Sequence, residues 1–136
     1  KGSVVLLSFG EIDCRHDEGI LIAARKLECN IKTLTKETVT GFVTWFLKEN
    51  RNNKHDYYFF NLPAPVYNKD LSHQTNSEVA LTVKVFNETL QTLLQTSSAK
   101  IINIYNLTSD NRGFSNGTFH CDITHLHGKI LDHLDI

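Results

Sequence analysis

The stretch Phe119-His120-Cys121-Asp122-Ile123-Thr124-His125-Leu126-His127-Gly128 places three histidines, an aspartate and a cysteine within ten positions. Asp122 and His125 lie three apart, and at the mouth of a helix that spacing sets both side chains on one side. A carboxylate against an imidazole fixes the tautomer of the ring and raises its basicity. That is the orienter-and-base half of a hydrolytic triad. The same types read another way are a transition-metal site built from His120, Cys121, Asp122, His125 and His127, with zinc the natural ion. The spacing matches no standard finger, and geometry rather than ligand type decides selectivity. The plainest reading is a helix N-terminus, with Asp122 as its cap and His125 on the surface. Cys14 as a thiolate nucleophile served by His125 is a further chemistry, set against the ordinary preference of cysteine for burial.

The elements that position these residues are legible from hydrophobic patterning. Val4-Val5-Leu6-Leu7, Tyr57-Tyr58-Phe59-Phe60 and Ile101-Ile102-Asn103-Ile104-Tyr105 are near-continuous apolar runs. They predict strands covered on both faces, as in a parallel sheet. Helical patterns separate them. Asp17 is the expected cap of a helix carrying Ile20, Leu21, Ala24 and Leu27. Thr35 caps a second carrying Val39, Phe42, Val43, Phe46 and Leu47, with Trp45 and Phe46 on its core face, and Ser77 opens a third carrying Val79, Val83, Phe86, Leu90 and Leu93. A short last helix from about His127 buries Ile130, Leu131 and Leu134. Strands alternating with amphipathic helices predict an α/β layer sandwich. Each strand then ends in polar residues at one sheet edge, so Asp13, Arg15, Asp122 and His125 converge without being close in sequence. The irregular stretch 63–76 follows the second strand and belongs to that edge, where α/β proteins place their sites. In the loop after the first strand, Asp13 and Arg15 read either as an ion pair or as backbone holder and substrate contact, and Glu11 as an acceptor of loop N–H groups.

Composition narrows the classes. With 136 residues the chain reads as a single domain, residues 1–136, large enough for a core. The net charge of −1, with no basic block, speaks against a nucleic-acid partner. No apolar run reaches the length of a membrane-spanning helix, so no membrane partner is expected. Three widely spaced cysteines predict no disulfide framework, hence a reducing, cytoplasmic setting. Three strands are few for helices this long, and a chain without Met that begins at Lys1 implies further residues upstream that complete the sheet. An edge left exposed could also be covered by a second copy, giving a homodimer.

The blocks "SFGEIDCR", after the first strand, and "DITHL", before the last helix, resemble two motifs of the SGNH (GDSL-type) hydrolases. The resemblance implies a flavodoxin-like three-layer α/β/α sandwich with a parallel sheet. The family's Asp-x-x-His block matches Asp122-Ile123-Thr124-His125, which implies His125 as general base and Asp122 as its orienter. In its Gly-x-Asn-Asp block Gly10 and Asp13 match, and the backbone near Gly10 would serve the oxyanion. Beside this, Asp13 as holder of the site backbone with Arg15 on an anionic or sugar substrate stays open against the ion-pair reading. The block's asparagine is replaced by Ile12, which cannot donate a hydrogen bond. "FFNLPAPVYN" is similar to the family's strand and proline-rich loop, and Asn87 in "VFNETL" falls on a helix packing under the site. No segment resembles the family's Gly-Asp-Ser nucleophile block, and Ser3 precedes a strand rather than following one. The implied function is ester hydrolysis on a small-molecule or carbohydrate substrate, O-acetyl groups included, with a serine from outside this chain and no cofactor. The alternatives are a catalytically inactive SGNH-like binding or scaffold domain and a metal-binding protein using the His120–His127 cluster.

Overall fold

The computed structural model describes residues 2–134. Its order is β1 (Val4–Leu7), α1 (Gly19–Lys26), α2 (Ile31–Asn50), β2 (Asp56–Phe60), α3 (His73–Leu94), β3 (Lys100–Ile102) and α4 (Tyr105–Thr108), with 3-10 turns at Ile12–Cys14 and Gly128–His133. The three strands form one parallel sheet in the order β1-β2-β3, so the fold is α/β. Register pairs Leu7 with Phe59 and Leu6 with Tyr58, so successive residues of each strand face opposite sides.

Strands laid down in sequential order by crossovers of one hand send every connecting helix to the same face. That face holds the main core. Leu7, Phe59 and Ile101 from the sheet meet Val39, Val43 and Phe46 of α2 and Val83, Phe86, Leu90 and Leu94 of α3. The other face is covered by the C-terminal segment, where Tyr58, Phe60 and Ile102 pack with Phe119, Leu126, Ile130 and Leu134. This cover stops at β2 and β3. The outward side chains of β1 are left at 60% exposure for Val4 and 48% for Leu6. Among the described residues, the expectation that all three apolar runs are covered on both faces is not met for β1, which has one open face.

Helix starts differ from the sequence reading because the capping side chains are others. Asn30, not Thr35, caps α2, its side chain accepting from Thr33 N at 3.1 Å. Thr35 is buried inside the helix and donates to Ile31 O at 2.7 Å. Ser72, not Ser77, caps α3, accepting from Thr75 N at 3.0 Å. α1 begins at Gly19 without a side-chain cap, so Asp17 lies before it. Helix α4 follows β3 where the sequence suggested continued strand. Trp45 is 57% exposed, contrary to its expected core position, while Phe46 beside it is buried. In the last 3-10 turn Ile130 is buried, but Leu131 is exposed. No helix among the described residues is long and apolar enough to cross a membrane.

Candidate functional site

At the carboxyl edge of the sheet, four segments surround a cavity of about 200 Å³: the loop after β1, the loop after β2, the start of α3 and the hairpin before the last 3-10 turn. Its walls are mostly apolar, with Leu62, Pro63 and Pro65 on one side and Val79 and Val83 of α3 on another. Glu11, Arg15, His120 and Thr124 are among the polar residues that line it. This is the position where open α/β sheets bind ligands.

The wall after β2 is an irregular segment, and its backbone needs partners. Buried or half-buried side chains from elsewhere supply them. Asn87 of α3 accepts from Leu62 N at 2.8 Å and donates to Leu62 O at 2.9 Å. Thr108 Oγ1 accepts from Ala64 N at 2.9 Å. Asn76 accepts from Asn68 N at 2.8 Å and donates to Asn68 O at 2.9 Å. Asn61 ties the end of β2 to that of β3, accepting from Ile104 N at 2.8 Å and Tyr105 N at 3.0 Å. A loop fixed in this way holds its shape before any ligand arrives, which removes an ordering cost from binding.

The opposite rim carries the Asp-x-x-His block. It does not lie at a helix mouth. His120 and Leu126 form an antiparallel bridge, and Cys121 N donates to His125 O at 3.0 Å, so residues 121–125 are the tip of a short hairpin. Asp122 builds that tip. Its Oδ1 accepts from Thr124 N and His125 N, both at 2.7 Å, and its Oδ2 meets His125 Nδ1 at 2.7 Å. The Asp-x-x-His spacing thus brings the two side chains together through an aspartate-capped turn rather than through helix geometry. The backbone N–H groups of Thr124 and His125, and then the His125 ring, hold the Asp122 carboxyl well below the usual carboxylate range. It stays ionised at any pH near neutrality. Nδ1 of His125 is occupied, the side chain is 74% exposed, and Nε2 remains to exchange a proton with a bound molecule.

On the facing loop, Arg15 forms a fork onto Glu11, with Nε to Oε1 at 3.0 Å and Nη2 to Oε2 at 2.7 Å. Of the two readings of Asp13 and Arg15, the ion pair between them does not form: an i,i+4 separation across the 3-10 turn lets Glu11 reach the guanidinium instead. Glu11 thereby serves Arg15, not the loop N–H groups it was expected to hold. Asp13 is exposed and does not line the cavity. Gly10 has φ +92°, and a Cβ there would run into the Phe86 ring in the main core. Gly10→Ala combines overpacking with a left-handed backbone, and is expected to destabilise by about 3 kcal/mol in a denaturant melt. The cavity brings Arg15 together with Thr124 and Ile123, the residues between Asp122 and His125. Gly10, Asp13, Asp122 and His125 themselves stand outside its lining.

Cys14 is buried, and burial, reinforced by Asp13 and Glu11, pushes its thiol far above the ordinary range. It stays protonated, as a packed core residue rather than a thiolate nucleophile. Among the described residues, no three histidine, cysteine, aspartate or glutamate side chains group to hold a metal ion. Within the His120–His127 cluster the donors are directed elsewhere: His120 Nδ1 meets Ser115 Oγ at 2.7 Å, and His127 Nδ1 accepts from Lys129 N at 3.1 Å.

Compared with protein-family models, curated proteins and solved structures, the chain matches none. Its chemistry rests on the residues themselves.

The contact of His120 with Ser115 was not foreseen from sequence. Burial lowers the pKa of His120, and Asp122 opposes the shift only in part. The imidazole therefore stays neutral at pH values where an exposed histidine is charged. A histidine whose folded pKa is lowered contributes stability that is complete above the unfolded value of about 6.5 and declines as pH falls through it. The expected result is an NMR titration midpoint for His120 below 6.5; a midpoint above that value would contradict its burial. Asn76 and Thr108 were likewise missed. Asn87, expected on a helix packing under the site, lies on α3 and bonds to the backbone of Leu62, an amide set into the apolar stripe Val83, Phe86 and Leu90.

Proposed function

We propose that the chain is the acid/base half of an SGNH-like ester hydrolase, with a flavodoxin-like three-layer architecture. The observation that carries this reading is the 2.7 Å contact between Asp122 Oδ2 and His125 Nδ1, on the rim of a preformed cavity at the carboxyl edge of a parallel sheet. The sequential order β1-β2-β3 supports it, since the last three strands of a 2-1-3-4-5 sheet lie in that order. In that arrangement the remaining strands would pair along the edge of β1 that carries no other strand among the described residues. A second copy pairing there would cover the edge as a homodimer.

A serine hydroxyl contributed from outside this chain would attack the ester carbonyl. Nε2 of His125 would take its proton and return it to the departing alcohol, leaving an acyl-serine. Water would then repeat the sequence, giving its proton to His125 and releasing the acid and the serine. Asp122 would stabilise the imidazolium formed in both halves. Carbohydrate and small-molecule esters, O-acetyl groups among them, are the substrate class, with no cofactor in the sequence of steps.

A second reading rests on Ile12, which is 56% exposed and offers no donor in the loop that would serve the oxyanion. It makes the chain a binding or scaffold domain of the same fold. Hydrolysis of phenyl acetate by the full-length natural protein, with and without His125→Ala, separates the two. Turnover that depends on His125 supports the hydrolase, and no turnover supports the binding domain.

A further inference from the structure

The cavity states more about its ligand than the Asp122–His125 pair does. We infer that it binds an uncharged molecule carrying an apolar group about the size of a benzene ring, with His120 supplying the hydrogen bond at the polar end. Calling that molecule the substrate rests on the hydrolase reading; the binding itself does not.

Size is the first argument. An apolar cavity of ~150 Å³ suffices to bind benzene in a protein interior. The cavity here is about 200 Å³, so an acetyl group alone would leave much of it unfilled. Its lining is the second argument. Leu62, Val79 and Val83 give aliphatic contact, and Pro63 and Pro65 are stiff. The hydrogen bonds from Asn87 and Thr108 fix the loop that carries them. Such walls cannot collapse onto a small ligand, so a group that fills them gains the contact.

Charge is the third. The ionisable residues lining the cavity are Glu11, Arg15, His16, Asp17 and His120, with Cys14, whose buried thiol stays neutral. Arg15 is the one guanidinium among them, and both its Nε and its Nη2 are engaged by Glu11. Asp17 adds a second carboxylate, with His16 Nδ1 at 3.6 Å from it. A ligand carboxylate would meet a rim whose cation is already committed, so the site favours a neutral polar group. His120 is suited to receive one. Ser115 holds its Nδ1 at 2.7 Å, and Nε2 has no partner among the described residues.

The test is a titration of the full-length protein with benzyl alcohol, followed by methyl proton–carbon NMR. Saturable shifts at Leu62, Val79 and Val83, with a Kd of about 1 mM, are expected for a ligand of this size. Sodium benzoate should bind at least tenfold more weakly. Val79→Phe, at a half-buried position on the cavity wall, should weaken benzyl alcohol at least tenfold by filling the space. Should that variant fail to fold, the shift map of the natural protein decides alone. Shifts that are absent, that fall elsewhere, or that benzoate produces equally well overturn the inference. No turnover is involved, so a failed titration leaves the hydrolase reading standing. Hydrolysis unaffected by His125→Ala does the reverse.

Discussion

His125→Ala in the full-length protein is expected to lower kcat/KM for phenyl acetate by at least about 10³-fold, measured as phenol release at pH 7.5. The imidazole is the only titratable side chain joined to Asp122 in the hairpin tip. On the proposed mechanism its loss would remove both the acceptor of the serine proton and the donor to the leaving alcohol. The effect should fall on kcat rather than KM, because His125 does not line the cavity proposed to hold the substrate. Asp122→Asn should have a comparable effect on rate, since an amide reverses the tautomer that leaves Nε2 free. Acid should act through Asp122 in a definite window. Its folded pKa is depressed, so its contribution to the hairpin is complete above the unfolded value of about 3.9 and is lost as pH falls through the depressed one. The hairpin tip should therefore hold its shape at pH 5 and loosen only in stronger acid. Hydrogen exchange of the Thr124 and His125 amides checks this directly.

The second large effect is on stability. Asn87→Leu is expected to destabilise by about 4 kcal/mol in a urea melt. The residue is near in shape to the amide, but Leu62 N and Leu62 O, on a buried residue, each lose their partner. An unsatisfied buried group costs ~1–3 kcal/mol, and two are left. The same variant should free the cavity wall, seen as faster amide exchange at Leu62 and at Ala64. Asn87→Asp should be nearly as harmful, because a carboxylate keeps the bond from Leu62 N but repels Leu62 O. A variant with natural stability would show that the loop is held by something other than Asn87.

What the sequence allowed a reader to see followed periodicity. The three apolar runs, and the amphipathic stripes of α2 and α3, encode strands and helices through burial, the strongest signal a chain carries. Helix starts were misplaced because several Ser, Thr and Asn residues near each start compete as caps. Only the tertiary position of Asn30 and Ser72 selects them. The open face of β1 was hidden because Val4-Val5-Leu6-Leu7 reads as doubly covered, whereas which strand lies at the edge is a property of topology. The Asp122–His125 contact was read from spacing, yet the geometry that makes it is an aspartate turn in a hairpin. The spacing serves both structures, so the contact was legible and its cause was not. Least legible was the framework of the cavity. Asn61, Asn76 and Thr108 look like ordinary polar residues until the chain folds and sets them against backbone groups as many as 44 positions away.

The account turns on Asp122 and His125 acting as one catalytic unit on an ester. The measurement that tests it most directly is a double-mutant cycle on kcat/KM for phenyl acetate, comparing Asp122→Ala, His125→Ala and the pair in the full-length protein. The account predicts that the double variant is no slower than His125→Ala alone, because an orienter has nothing to orient once the base is gone. Two losses that multiply independently, or a rate that neither substitution changes, would contradict it.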